Sequence, residues 1–311
     1  MSFTSDVKHE LVRINEGEIA ELSALIRMNG TIQIVSKNFA LNIKLSMGDL
    51  ARKVYSTIKK IFNLQIQIIV RKNLPFDRKQ NIYHLFLAPQ QGLDDFLYRL
   101  GFIDENNSII FRIKEEFFSK RIYRQAYLRG AFLGGGSVNN PAGEYHLEFR
   151  CEYEGLARDL LKLLESFNLE GRITRHNKKH IVYFKNYEDI TTILNIIGAH
   201  RALLEMENKH VVKSLKNDIN RRVNFETANL DKTITAALEQ LEDIELIEAE
   251  RGLASLPKSL REIALLRKEH PYASLKELGE LLTPKISKSG VNHRMRRIKK
   301  IADEIREKGK I

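Results

Sequence analysis

Between Pro284 and Lys300 stand Lys285, Lys288, Arg294, Arg296, Arg297, Lys299 and Lys300, with no acidic residue among them. Such a run suits a polyanion, because Lys and Arg neutralise phosphates and Arg adds paired donors that fit a base edge. The side chains divide by task. Ser289, Asn292, His293 and Arg296 can hydrogen-bond base edges in a major groove. Lys288, Arg294, Arg297 and Lys300 are better matched to phosphates. Ser287 stands where a helix cap belongs. Other groupings fall short of chemistry. His176 and His180 are four apart, but they flank a turn between strands, and no cysteine or carboxylate set completes a metal site. No Ser-His-Asp grouping can be defended from order alone. No metal and no cofactor is therefore expected. Cys151 is the only cysteine; it rules out an internal disulfide, fits a reducing cytoplasm, and is read as core.

The basic run needs a helix to present it. From Pro257 onward the pattern predicts three helices, over 259–270, 274–282 and 287–308. Ser274 with Glu277 forms a capping box, and Leu275, Leu278, Leu281 and Leu282 supply the apolar face of the second helix. Val291, Met295, Ile298 and Ile301 form a buried stripe on the third. A short capped helix, a turn and a more basic helix have the form of a helix-turn-helix, here 274–308. Residues 257–311 hold 15 Lys+Arg against 7 Asp+Glu, so this module carries +8 of the net +11. RNA is the chemical rival, but an aromatic RNA-reading pattern is missing. A plain bundle with a solvated basic face is the structural alternative.

Ahead of the module lies a helical stretch over 201–256, in which Asn229 is a plausible cap for the segment 226–253. The front of the chain repeats itself. Residue i matches i+106 from Ala20 to Ile61, with identities at Ala20/Ala126, Leu22/Leu128, Gly30/Gly136, Leu41/Leu147, Leu50/Leu156, Ala51/Ala157 and Arg52/Arg158. Each copy reads helix, two strands, helix, two strands, helix, which is an α+β architecture with two sheets related by a pseudo-two-fold. The glycines 134–136 follow a helix and match no phosphate-loop pattern, so a phosphate cradle is discounted. Instead Ala126, Gly130 and Gly134 lie on one helical face, opposite Ala20 and Ala24 in the other copy. Small residues at that spacing let the two helices pack closely between repeats.

The segments "LSALIRMNG" (22–30) and "LRGAFLGGG" (128–136), each leading into strands, resemble the LAGLIDADG homing-endonuclease fold. That family carries an acid just before the final glycine, and the two acids hold the metals that cut DNA. Here the positions are Asn29 and Gly135, which supply no anionic oxygen. The resemblance therefore implies the fold without the nuclease chemistry. A degenerate body of this kind, followed by "NRRVNFETANLDKT" (220–233) and "SLKELGELLTPKISKSGVNHRMRRI" (274–298), resembles the WhiA family of bacterial DNA-binding regulators. That implies a transcription-factor or nucleoid-associated role, tied to sporulation in actinobacteria and to cell division and chromosome segregation in low-G+C Gram-positive bacteria. Its helix-turn-helix looks like the promoter-reading part of sigma factors, making 287–300 the recognition region.

The expected organisation is a LAGLIDADG-like saddle (αββαββα twice) in 1–200, with repeats about 17–101 and 120–198. A helical linker follows over 201–256, and an all-α DNA-binding domain over 257–311. The expected partner is double-stranded DNA, with another regulatory protein as a partner for the saddle and no membrane association. The expected place is the cytoplasm, at the nucleoid. An active metal endonuclease and a scaffold with an incidental basic tail are the alternatives.

Overall fold

A computed structural model describes residues 2–73 and 80–308 of the chain. It divides into two compact units, Met1–Lys213 and Ser214–Ile311. The first unit opens with α1 (Phe3–Leu11). The first repeat then runs α2 (Glu18–Asn29), β1 (Gly30–Val35), β2 (Asn38–Leu45), α3 (Gly48–Phe62), β3 (Gln67–Asn73), β4 (Gln80–Leu87) and α4 (Leu93–Arg99). The turn that joins β3 to β4 lies outside the described residues. After the short α5 (Glu116–Ser119), the second repeat runs α6 (Arg121–Gly135), β5 (Gly136–Val138), β6 (Leu147–Cys151), α7 (Glu154–Glu165), β7 (Arg172–His176), β8 (Lys179–Phe184) and α8 (Tyr187–Ile197). The fold is the α+β architecture read from the repeat, ahead of an all-α second unit.

Among the described residues each repeat forms an antiparallel four-stranded sheet of the same topology, β1-β2-β4-β3 and β5-β6-β8-β7. The burial pattern repeats at the same offset as the sequence. Leu41, Ile43 and Leu45 face the core on β2, and Leu147, Phe149 and Cys151 do so on β6. Leu50, Ala51, Val54 and Ile58 are buried on α3, and Leu156, Ala157, Leu160 and Leu164 on α7. Period two makes the strands and period 3.6 the helices, so a shared pattern yields a shared fold. One hydrophobic core runs through both repeats.

The two halves meet where α2 packs on α6. Ala20, Ala24, Ala126 and Gly130 are buried there, and Gly134 is half-buried. A methyl group on Gly130 would lie 2.1 Å from the Glu21 carbonyl oxygen and 3.0 Å from the Ala24 Cβ, so only hydrogen fits. A buried ionic link crosses the same seam. The Glu21 carboxylate receives Lys53 Nζ at 2.5 Å on one oxygen and Arg129 Nε at 2.5 Å on the other. Lys53 also donates to the Ile14 carbonyl, and Arg129 to the Glu16 carbonyl, so each buried cation is hydrogen-bonded beyond its ion pair.

Asn229 is not a cap. It lies within α9 (His200–Arg251), one unbroken helix. Residues 200–251 contain no Gly and no Pro, and the few tenths of a kcal/mol that Asn costs in a helix cannot end one. In the second unit α10 (Lys258–Glu269), α11 (Leu275–Leu281) and α12 (Lys288–Lys308) pack with the C-terminal part of α9 around a core of their own. No helix among the described residues is long and apolar enough to cross a membrane.

Candidate nucleic-acid interface

The turn before α11 is held by a buried cation. Arg267 is 1% exposed, and its Nη1 donates to the carbonyls of His270 at 3.4 Å, Pro271 at 3.3 Å and Ala273 at 2.5 Å. Burial lowers its pKa from the ordinary arginine value, and the three carbonyls supply the oxygen that water would otherwise offer. The Ser274 capping box follows. Ser274 N–H donates to Glu277 Oε2 at 2.7 Å, and Glu277 N–H donates to Ser274 Oγ at 3.3 Å. The bond from the Ser274 backbone, seconded by its side chain, holds the Glu277 carboxyl below its ordinary pKa. Leu278 and Leu282 reach the core, whereas Leu281, expected on that face, is 49% exposed. At 100° per residue Leu281 lies about 90° round the helix from the face shared by Leu275, Leu278 and Leu282, so it falls beside the buried stripe and not on it.

The close approach of α11 to the start of α12 depends on Gly279. Its carbonyl accepts from Ile286 N–H at 3.1 Å, and a Cβ on it would lie 2.3 Å from the Ile286 carbonyl oxygen. Ser287 is exposed and caps α12, its Oγ accepting from Gly290 N–H at 3.3 Å. Val291, Met295 and Ile298 are buried, with Ala302 and Ile305 continuing the stripe.

At 100° per residue, Ser289, His293, Arg296 and Lys300 lie on the face directly opposite that stripe. All four are exposed, as are Lys288, Arg297 and Lys299. Asn292 is half-buried on one flank. Arg294, assigned to phosphates from its charge, is half-buried and donates from Nη1 to the Ser259 carbonyl at 3.3 Å, tying α12 to the start of α10. The row ends where Asp303 and Arg306 pair at 2.9 Å and Arg306 reaches Asp243 at 2.7 Å. Sequence reasoning missed Arg267, although 267 continues the buried spacing of Leu260, Ile263 and Ala264 and could have been found from it.

In the first unit the positions of the lost acids are closed. Asn29 Nδ2 donates back to the Leu25 carbonyl of its own helix at 3.3 Å. A Cβ on Gly134 would lie 2.6 Å from that Asn29 nitrogen, and one on Gly135 would lie 2.7 Å from the Arg150 carbonyl oxygen. The pair of positions offers one neutral amide and a backbone with no room for a side chain, so it supplies no anionic oxygen for a divalent metal. Among the described residues no group of three or more His, Cys, Asp or Glu could hold one.

Three family models match the chain. The WhiA N-terminal LAGLIDADG-like domain matches residues 15–103, the WhiA LAGLIDADG-like domain 124–216, and the WhiA C-terminal HTH domain 219–302. A protein of Halothermothrix orenii named "Probable cell division protein WhiA" is 60% identical over 310 residues, covering 98% of this chain and 99% of its own. The protein of that name from Desulfitobacterium hafniense (strain Y51) is 48% identical over 314 residues, covering 100% and 98%. The crystal structure of full-length DUF199/WhiA from Thermatoga maritima aligns with a TM-score of 0.60 at 28% identity, covering 98% of this chain and 99% of that one.

Proposed function

The chain belongs to the WhiA family, and from that premise we propose that it binds double-stranded DNA through α12 as a transcriptional regulator or nucleoid-associated factor in cell division and chromosome segregation. The observation that carries this reading is the face formed by Ser289, His293, Arg296 and Lys300, exposed opposite a buried stripe and flanked by Lys288, Arg297 and Lys299. Helix α12 enters a major groove. Ser289, His293 and Arg296 read base edges with Asn292 at their flank, while Lys288, Arg297 and Lys300 hold phosphates. Arg294 acts from inside, fixing the helix on α10. The module 257–311 docks on DNA, 201–256 links it to the saddle, and the protein works at the nucleoid. The saddle does not cut, because its two central positions supply no anionic ligand.

Fluorescence anisotropy with a duplex at stepped salt tests this. The full chain should lose affinity steeply as salt rises. The Arg296→Ala/Arg297→Ala double variant should bind more weakly, with a log–log slope shallower by about 0.9 for each phosphate it no longer neutralises. An unchanged slope removes α12 from the interface. Nicking of a supercoiled plasmid in Mg²⁺ or Mn²⁺ would restore the endonuclease reading.

A further inference from the structure

A solvated helix face is built most stably from good helix formers, with opposite charges four residues apart. Residues 216–224 of α9 depart from that rule. Asn217, Asn220 and Asn224 are exposed, and Asn is among the poorer helix formers. At 100° per residue they fall within about 60° of one another, with exposed Lys216 on one side and exposed Arg221 on the other. The nearest acids in the sequence, Asp218 and Glu226, lie more than about 120° round from the centre of the amide row, with Arg222 four residues from each. Neighbouring side-chain bonds on this helix are made by Lys209 to Glu205, Lys213 to the Gly143 carbonyl and Thr233 to the Asn229 carbonyl. Among the described residues, none of the five side chains of the face has a hydrogen-bond or ion-pair partner. The three amides therefore weaken the helix and return no bond within the chain.

We propose that residues 216–224 form a second DNA-reading face, in addition to that of α12. This rests on the reading that the chain binds duplex DNA, and extends it. An Asn side chain pairs with an adenine edge through one donor and one acceptor, so a row of amides selects A·T pairs in a major groove. From Asn217 to Asn224 the helix rises about 10 Å, roughly three base-pair steps of duplex. Lys216 and Arg221 flank the row as phosphates flank a groove, and no carboxylate on this face repels them. A protein carboxylate would satisfy the two cations but cannot donate to the amide oxygens, whereas a groove offers phosphates and base edges together. The face belongs to the same compact unit as α12.

Two measurements on the full chain test this. In selection from duplexes with a randomised core, the wild type should enrich A·T positions that the Asn217→Ala/Asn220→Ala/Asn224→Ala variant no longer enriches. Ala is the better helix former, so this variant should melt no lower than the wild type, and its lost selection cannot come from a lost helix. In anisotropy at stepped salt, Lys216→Gln/Arg221→Gln should flatten the log–log slope by about 0.9 for each phosphate given up, while Arg222→Gln should behave as wild type. An unchanged selected sequence in the Asn variant overturns the proposal, and so does an unchanged slope in the Lys216/Arg221 variant. If Arg296→Ala/Arg297→Ala still weakens binding in either case, only this face falls and the α12 reading stands. A wild type that binds no duplex overturns both.

Discussion

Lys8 is half-buried on α1 with its ammonium 5.9 Å from the centre of the Phe132 ring. Burial first, and the Arg150 charge second, bring its pKa down to about 8. Between that value and the 10.5 of an ordinary lysine, the unfolded chain still holds a proton that the folded chain has released. Stability therefore rises with pH across this window, and the penalty of a charged Lys8 is fully present below it. Denaturant titrations should show that rise in the wild type and a smaller one in Lys8→Met; equal rises would remove Lys8 as its source. Single residues were the least legible part of the sequence. A charge reads as exposed, so Lys53 and Arg129 gave no sign of burial until their carbonyl and carboxylate partners were in place, and Arg267 was passed over although its spacing continues a buried stripe. The same rule sent Arg294 to the DNA side, where the structure turns it onto Ser259.

At the scale of elements the sequence was far more legible, because periodicity survives without knowledge of tertiary neighbours. The strand pattern of β2 and β6, the stripes of α3 and α7 and the capping box of α11 all follow from spacing. The boundary at Asn229 failed because a cap signal alone does not stop a helix that has no breaker. Close approaches were also hidden, since a glycine in a helix looks the same whether it is crowded or free. Gly279 and Gly290 are such a pair. Gly279 meets the Ile286 carbonyl, whereas a Cβ on Gly290 finds its nearest atom at 3.6 Å. Gly279→Ala should cost about 2 kcal/mol or more through overpacking. Gly290→Ala should be neutral or stabilise by up to about 1 kcal/mol through helix propensity. Thermal melts of the two variants check both signs, and equal effects would refute the account of the α11–α12 turn.

Across the whole molecule, the two units have separate hydrophobic cores. A chain with more than one core departs from a single two-state transition when its units unfold independently. Calorimetry should therefore resolve two transitions, and Gly279→Ala should lower only one. A single transition that shifts as a whole would mean that the cores unfold together. The seam between the two repeats has a different consequence. The matched positions of α2 and α6 are Ala24 and Gly130, and only the second lacks a methyl group. Two copies of the first half, assembled as the halves now are, would drive a methyl into a backbone carbonyl at the site where hydrogen alone is tolerated. The constraint is one-sided: the first half cannot close this seam with a copy of itself, whereas the second half brings a glycine to both sides of it.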